Sequence, residues 1–342
     1  MLNDESMTWF RLHERRSSLH QRSKLDDTQA RKQTFAAAMT QFEEQFAAAK
    51  AVTAATRPVN LYYGLTQAGM AIAAAHAPDP WSFDHHGLHL GDRNPELADM
   101  LVGPKGAGGF QKVATATGSP LITAPVSLGT LWASLPDLVE AGALPGAAWR
   151  IPLALFADTL TATQPRATLY LSGEMPEEHD PWMAAFRAMM ADYPSAAGCG
   201  IPIEDGKIQI THTTDGKWEV TLRWPAQEAS AREMSEQELK AFFGKVAPEY
   251  RYRGDRFLRP SIDGAGGMPP SPLMTWWLLL YSFSILARYE PRRWVKLLDR
   301  DSPKGVAVLL RYALEEALTA VPQLVLEALD GEPTLLPKPL AF

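Results

Sequence analysis

The residues best suited to chemistry in this chain fall into a few short clusters. The densest is Arg288-Tyr289-Glu290-Pro291-Arg292-Arg293-Trp294, where an uncharged apolar run ends abruptly. Guanidinium forks match carboxylate or phosphate geometry, and Tyr and Trp offer faces for stacking. An anion or nucleotide site is one reading. In the other, Glu290 pairs with an arginine to tie a helix end to its neighbour while Trp294 fills the core, because ion pairs also serve as anchors. A second cluster, Asp84-His85-His86-Gly87-Leu88-His89 followed by Asp92, holds residue types that bind metals. A metal needs about three converging protein ligands, and no His-Glu-x-x-His or other standard spacing is present. The competing reading is a loop in which a histidine hydrogen-bonds the backbone. His85, His86 and His89 are thus the metal candidates, and His86, Glu290 and His20 the acid/base candidates. No cofactor is implied.

A third cluster, Tyr250-Arg251-Tyr252-Arg253-Gly254-Asp255-Arg256-Phe257-Leu258-Arg259, interleaves four arginines with three aromatics. Phosphate pairing plus base stacking suits single-stranded nucleic acid. A packed loop that closes over the Arg288 region or contacts a protein partner suits the same composition. The net charge of −6 and pI near 5.8 weigh against a dedicated nucleic-acid binder. Arg15-Arg16-Ser17-Ser18-Leu19-His20 is similar in its Arg-x4-His spacing to HEPN ribonucleases, where His acts as acid/base and Arg clamps phosphate. Here the spacing lies in a charged N-terminal segment, whereas the HEPN motif sits inside a helical bundle.

Other sites are absent from the sequence. Gly103-Pro104-Lys105-Gly106-Ala107-Gly108-Gly109 and Gly264-Ala265-Gly266-Gly267 do not fit a Gly-x4-Gly-Lys-Ser/Thr phosphate loop, and no Gly-x-Ser-x-Gly elbow occurs. The single cysteine, Cys199, reads as a buried inert thiol and suits a reducing cytosol. The N-terminus lacks the apolar core of a secretory signal. Leu273–Ala287 falls short of the ~20 apolar residues of a membrane span and contains Thr275, Ser282 and Ser284. It reads as a buried core helix.

The elements that position these clusters follow from periodicity. Residues 28–56 lack Gly and Pro, and Phe35, Met39, Phe42, Phe46 and Ala49 recur on one helical face. Pro58 suits the first turn of a second helix, Val59–His76, apolar almost all round, with Gly64 and Gly69 admitting a close neighbour. Residues 77–130 read as irregular, and Leu131–Ala141 reads as a short helix ended by Gly142. Ala167–Ser172, Lys207–His212 and Trp218–Trp224 alternate like strands, and Asp215-Gly216 makes the last two a hairpin. Asp180–Ala191 and Ser235–Gly244 read as helices, as do Pro272–Ala287, Pro291–Leu298 and Lys304–Leu329.

The expected fold class is α+β. A mainly helical bundle is built from the N- and C-terminal segments, with a small antiparallel β-rich insert in the middle. The domain reading is a charged arm at 1–34, a discontinuous bundle at 35–148 and 232–330, an insert at 149–231 and a tail at 331–342. Helices 59–76 and 272–287 are expected to pack on each other, since neither can be buried alone.

Arg57-Pro58-Val59-Asn60-Leu61-Tyr62-Tyr63-Gly64-Leu65, His86-Gly87-Leu88 and Leu286-Ala287-Arg288-Tyr289-Glu290-Pro291 with Trp294 resemble the YaaC-like proteins of bacteria, over about residues 35–330. The resemblance implies a cytosolic bacterial protein with a shared helical framework, and it carries no reaction. The leading expectation is a soluble cytoplasmic protein that binds an anionic ligand or a macromolecular partner through Arg57, Tyr63, Arg288, Tyr289, Arg292, Arg293, Trp294, Arg251, Arg253 and Arg256. The partner would be an anionic small molecule, a nucleotide, RNA, a protein or a second copy, with no membrane. An HEPN-like or other enzyme acting on RNA or nucleotides is the rival. A structural subunit of a larger assembly is the third reading.

Overall fold

The apolar spacing of the N-terminal third is realised as helices. A computed structural model describes residues 4–18, 29–79, 81–147, 150–158, 166–171, 179–196, 199, 201, 203–204, 207–208, 210–212, 218–223, 250–252, 255–262, 267–299 and 305–331. It opens with α1 (Asp4–Ser18), α2 (Gln29–Ala51) and α3 (Arg57–His76). The five apolar residues spaced along α2 are all buried: Phe35, Met39, Phe42, Phe46 and Ala49. Residues 4–18, expected in a solvated arm that is helical or partly disordered, form a helix, and one of its faces is buried. Thr8 and Leu12 are buried, and the Trp9 ring lies 5.2 Å from Phe42 and 6.0 Å from Phe46. Arg15 also grips Asp330 with two nitrogens, Nη2 reaching Oδ2 at 3.1 Å.

The stretch read as irregular holds regular structure. β1 (Leu88–Leu90), β2 (Leu101–Pro104) and β3 (Val126–Ser127) form an antiparallel sheet in that order, with His89 opposite Gly103. Between them lies α4 (Gly109–Ala116), and β3 runs into α5 (Leu128–Ala133), capped by Ser127. The expected helix 131–141 is therefore shorter and starts earlier. It is followed by a 3-10 turn at Pro136–Leu138, and Gly142 takes a left-handed φ of 90°.

The chain divides into two compact units, Met1–Trp149 with Pro270–Phe342, and Arg150–Pro269. The second contains β4 (Leu153–Asp158), β5 (Arg166–Leu171), α6 (His179–Met190), β6 (Ile203–Glu204), β7 (Lys207–Ile208), β8 (Ile210–His212), β9 (Trp218–Arg223), β10 (Tyr250–Tyr252) and β11 (Asp255–Leu258). Its six-stranded antiparallel sheet runs β10-β11-β4-β5-β9-β8. The hairpin expected from Lys207 to Trp224 is split. β8 pairs with β9, Ile210 opposite Val220, while β7 pairs with β6 instead. Trp182, Phe186, Leu153, Val220, Leu222 and Leu258 form a core under α6. Cys199 packs against it, and burial pushes its thiol up to about 11, which keeps it protonated and inert. The Arg-aromatic segment at 250–259, read as a loop, forms β10 and β11. β11 pairs with β4, which places these residues in the second unit. The helix expected at Ser235–Gly244 lies outside the described residues.

The first unit is completed by α7 (Pro272–Tyr289), α8 (Pro291–Leu297) and α9 (Val306–Asp330). Helices α3 and α7 pack directly on each other. The contact is close because α3 is small where α7 is large. The edge of the fully buried Trp277 indole sits on Gly69, where a Cβ would meet Cη2 at 2.1 Å. Ser282 is buried within α7, and its hydroxyl donates to the Leu278 carbonyl at 2.8 Å, so it leaves no orphan group. Among the described residues, no helix is long and apolar enough to cross a membrane. The fold is a mostly helical α+β arrangement.

Candidate functional site

The α3/α7 pair brings together residues remote in sequence. Tyr281, Ser284 and Arg288 follow at three- and four-residue steps on one face of α7. That face meets the first turns of α3, which carry Tyr62 and Tyr63. Tyr62 is buried and meets Tyr281 edge-on at 5.5 Å. The half-buried Arg288 guanidinium lies beside three rings: Tyr289 at 5.1 Å, Tyr63 at 5.4 Å and Tyr62 at 5.9 Å from their centroids. Its hydrogen bonds go to neutral acceptors only. Nη1 donates to the Tyr63 hydroxyl at 2.9 Å, Nε to the Ser284 carbonyl at 3.2 Å and Nη2 to Ser284 Oγ at 3.3 Å. Burial pushes the Tyr62 phenol up to about 12, so that ring stays neutral.

His86 approaches from the loop before β1. Its ring lies 5.0 Å from Tyr281, whose hydroxyl donates to the Leu88 carbonyl at 3.2 Å. The Leu88 amide donates to His86 Nδ1 at 3.0 Å, so Nδ1 is an acceptor and the proton sits on Nε2. Burial lowers the His86 pKa, and the positive neighbours His85, Arg288 and Lys105 lower it further. The loop is held by its glycines. Gly87 has a φ of 73°, and its backbone touches Gly108 so closely that a Cβ on Gly108 would meet the Gly87 nitrogen at 2.3 Å. Gln111 then clasps both, donating to the Gly87 carbonyl at 2.7 Å and accepting from the Gly108 amide at 2.9 Å. The Gly-rich segment 103–109 therefore serves as a backbone clasp that sets His86.

The remaining predicted residues lie elsewhere or are engaged. Arg57 is buried. Its Nε donates to the Ala49 carbonyl at 2.9 Å and its Nη2 to Val52 at 3.1 Å, while Nη1 pairs with Glu315. It closes the end of α2 and joins it to α9. Trp294 is buried, donates to the Ala54 carbonyl at 3.1 Å and stacks on Phe283. Glu290 faces Arg93 at 3.4 Å and Arg293 donates to the Pro95 carbonyl, so these two fix the α7–α8 corner to the loop after β1. Arg292 is exposed. Arg251 stands opposite Arg256 on β10 and β11 of the second unit, and Arg253 lies outside the described residues. The Arg15 fork is held by Asp330, and His20 lies outside the described residues.

The three histidines do not converge. His86 packs on Tyr281, while His85 and His89 are exposed. Among the described residues, no group of three or more His, Cys, Asp or Glu side chains is placed to hold a metal. A mostly apolar cleft of about 210 Å³ opens on the outer face of β1 and β2, lined by His89, Asp92, Pro95, Asp99, Leu101 and Pro125. Tyr62 and Tyr281, both part of the Arg288 cluster, were not among the predicted site residues, although Tyr62 stands in the Arg57–Leu65 segment. The available signal for Tyr281 was its position two helical turns before Arg288.

Comparison with curated proteins and with solved structures gives no match. The family comparison is positive from within α1 to the last turn of α9, through most of the first unit and all of the second. Residues 8–329 match the family model of the YaaC-like proteins, and the chain belongs to that family.

Proposed function

We propose that this protein binds a small anionic ligand at Arg288. One observation carries the reading: the guanidinium has neutral partners only. Three of its five N–H groups are used, by Tyr63 and twice by Ser284, which leaves two donors. Among the described residues, no carboxylate lies within 4.0 Å of it. A partly dehydrated cation without a counter-charge favours an anion more than a solvated surface arginine does.

An enzymatic reading has less support. His86 carries its proton on Nε2 and spends Nδ1 on a backbone amide, so its ring offers a hydrogen-bond donor and no free basic nitrogen. Glu290 faces Arg93. These arrangements favour ligand retention without proton transfer.

Isothermal titration of the purified full chain with carboxylates and phosphates tests the proposal, beside mass spectrometry of molecules that co-purify. Arg288→Ala is expected to weaken the tightest anion about tenfold or more, since loss of one charge-assisted contact is worth ~1.4 kcal/mol or above. Equal affinity in wild type and Arg288→Ala would refute the site.

A further inference from the structure

We infer that the ligand is an aromatic carboxylate, whose carboxylate takes the two unused N–H groups of Arg288 and whose ring lies against Tyr63 or Tyr289. This inference rests on the anion-binding reading above and adds the ligand's shape and charge.

The shape follows from the tyrosines. Tyr63 is 41% exposed and Tyr289 is 62% exposed, although both are large rings at the edge of a packed helix pair. Tyr63 belongs to a row of rings that continues through Tyr62 and Tyr281 to His86, at centroid spacings of 5.6, 5.5 and 5.0 Å. Exposed aromatic faces beside a cation recruit a flat partner, because the ring buries apolar area while its substituent meets the charge. A small inorganic anion would use Arg288 and leave both exposed faces in water.

The charge follows from position. Arg288 sits in the last turn of α7, where the helix end carries roughly half a negative charge in its unpaired carbonyls. The helix end thus offsets the guanidinium in part, with no carboxylate beside it among the described residues, and a single negative charge from the ligand completes the balance. A dianionic phosphate would face those carbonyls with charge in excess. Two donors also match the two oxygens of one carboxylate, whereas a phosphate presents three acceptor oxygens.

The test is titration of the full chain with 2-naphthoate, benzoate, acetate, phenyl phosphate and adenosine monophosphate. His86 is read by NMR and assigned with His86→Gln. We expect 2-naphthoate to bind more tightly than benzoate, and acetate to bind about tenfold or more weakly than naphthoate. Phenyl phosphate should bind less well than benzoate. Tyr289→Ala changes an exposed residue and should weaken naphthoate severalfold, by a larger factor than it weakens acetate. Bound carboxylate should raise the His86 pKa, because it offsets the Arg288 charge that helps to depress it. If acetate equals naphthoate, or if either phosphate binds more tightly than the carboxylates, the ligand class is overturned while Arg288 stands as an anion site. If no anion binds, or if Arg288→Ala binds all of them unchanged, the site itself falls and the inference with it.

Discussion

Gly69→Ala should destabilise the first unit by about 2 kcal/mol, and the sign of the change is the informative part. In an open helix interior, Ala is better than Gly by ~1 kcal/mol, because it restricts the unfolded chain. At position 69 the added carbon would lie 2.1 Å from Trp277 Cη2 and 2.5 Å from Cζ3. Carbon atoms in contact sit ~3.5–4.0 Å apart, so the indole would have to retreat by about 1.5 Å. It has nowhere to go, being fully buried with the Phe110 ring edge-on at 6.1 Å. Overpacking of this kind costs ~1–3 kcal/mol or more, which exceeds the propensity gain. Urea denaturation, followed by far-ultraviolet circular dichroism and tryptophan fluorescence, would read this as a lower midpoint at unchanged slope. The double variant Gly69→Ala/Trp277→Leu should recover part of the loss, with a coupling of ~1 kcal/mol or more. If Gly69→Ala is neutral or raises the midpoint, Trp277 does not rest on α3 and the pairing that builds the Arg288 cluster is refuted.

Other substitutions separate anchors from the proposed site. Arg57→Ala should cost about 2–4 kcal/mol, because it strips donors from the buried Ala49 carbonyl and the half-buried Val52 carbonyl; a denaturation midpoint equal to that of wild type would contradict the anchor. Glu290→Gln should change stability by ~1 kcal/mol or less, since its partner Arg93 and the carboxylate are both well exposed; a double-mutant cycle with Arg93→Ala checks the pair. Because His86 has a folded pKa below its unfolded value of ~6.5, the unfolded chain binds more protons as pH falls. Stability should therefore decline as pH drops through ~6.5 towards the lower folded value, and His86→Gln should flatten that slope in pH-dependent denaturation.

The helical part of the fold was readable because its signals are long. Five apolar residues at three- and four-residue steps make the α2 face unmistakable, and Pro58, Pro272 and Pro291 stand in the first turns of three helices. The missed elements are short. β1, β2 and β3 span three, four and two residues, too few for alternation to show. Their sheet rests on long-range partners, as where Tyr281 reaches the Leu88 carbonyl. β10 and β11 were hidden by their arginines, since an edge strand such as β10 tolerates charge and the segment reads as a polar loop. The buried face of α1 was hidden in the same way, because a single stripe of Thr8 and Leu12 carries its burial among many charges.

The candidate site shows why composition alone leaves an arginine's role open. Arg57, Arg288 and Arg293 looked alike in the sequence, each beside Pro, Tyr or Trp. Their surroundings separate them. Arg57 meets a carboxylate 258 residues away in sequence and two carbonyls at a helix end, and Arg293 meets a carbonyl 198 residues away. Arg57 is thereby neutralised by the fold itself, while Arg293 serves as a tether to the loop after β1. The distant partner of Arg288, Tyr63 at 225 residues, is a phenol without formal charge, and its local partner Ser284 is likewise neutral. Neutral acceptors orient a guanidinium without discharging it. A cation held in one orientation among rings, with donors to spare, is preorganised for an anion, because the side-chain ordering is already complete before the ligand arrives.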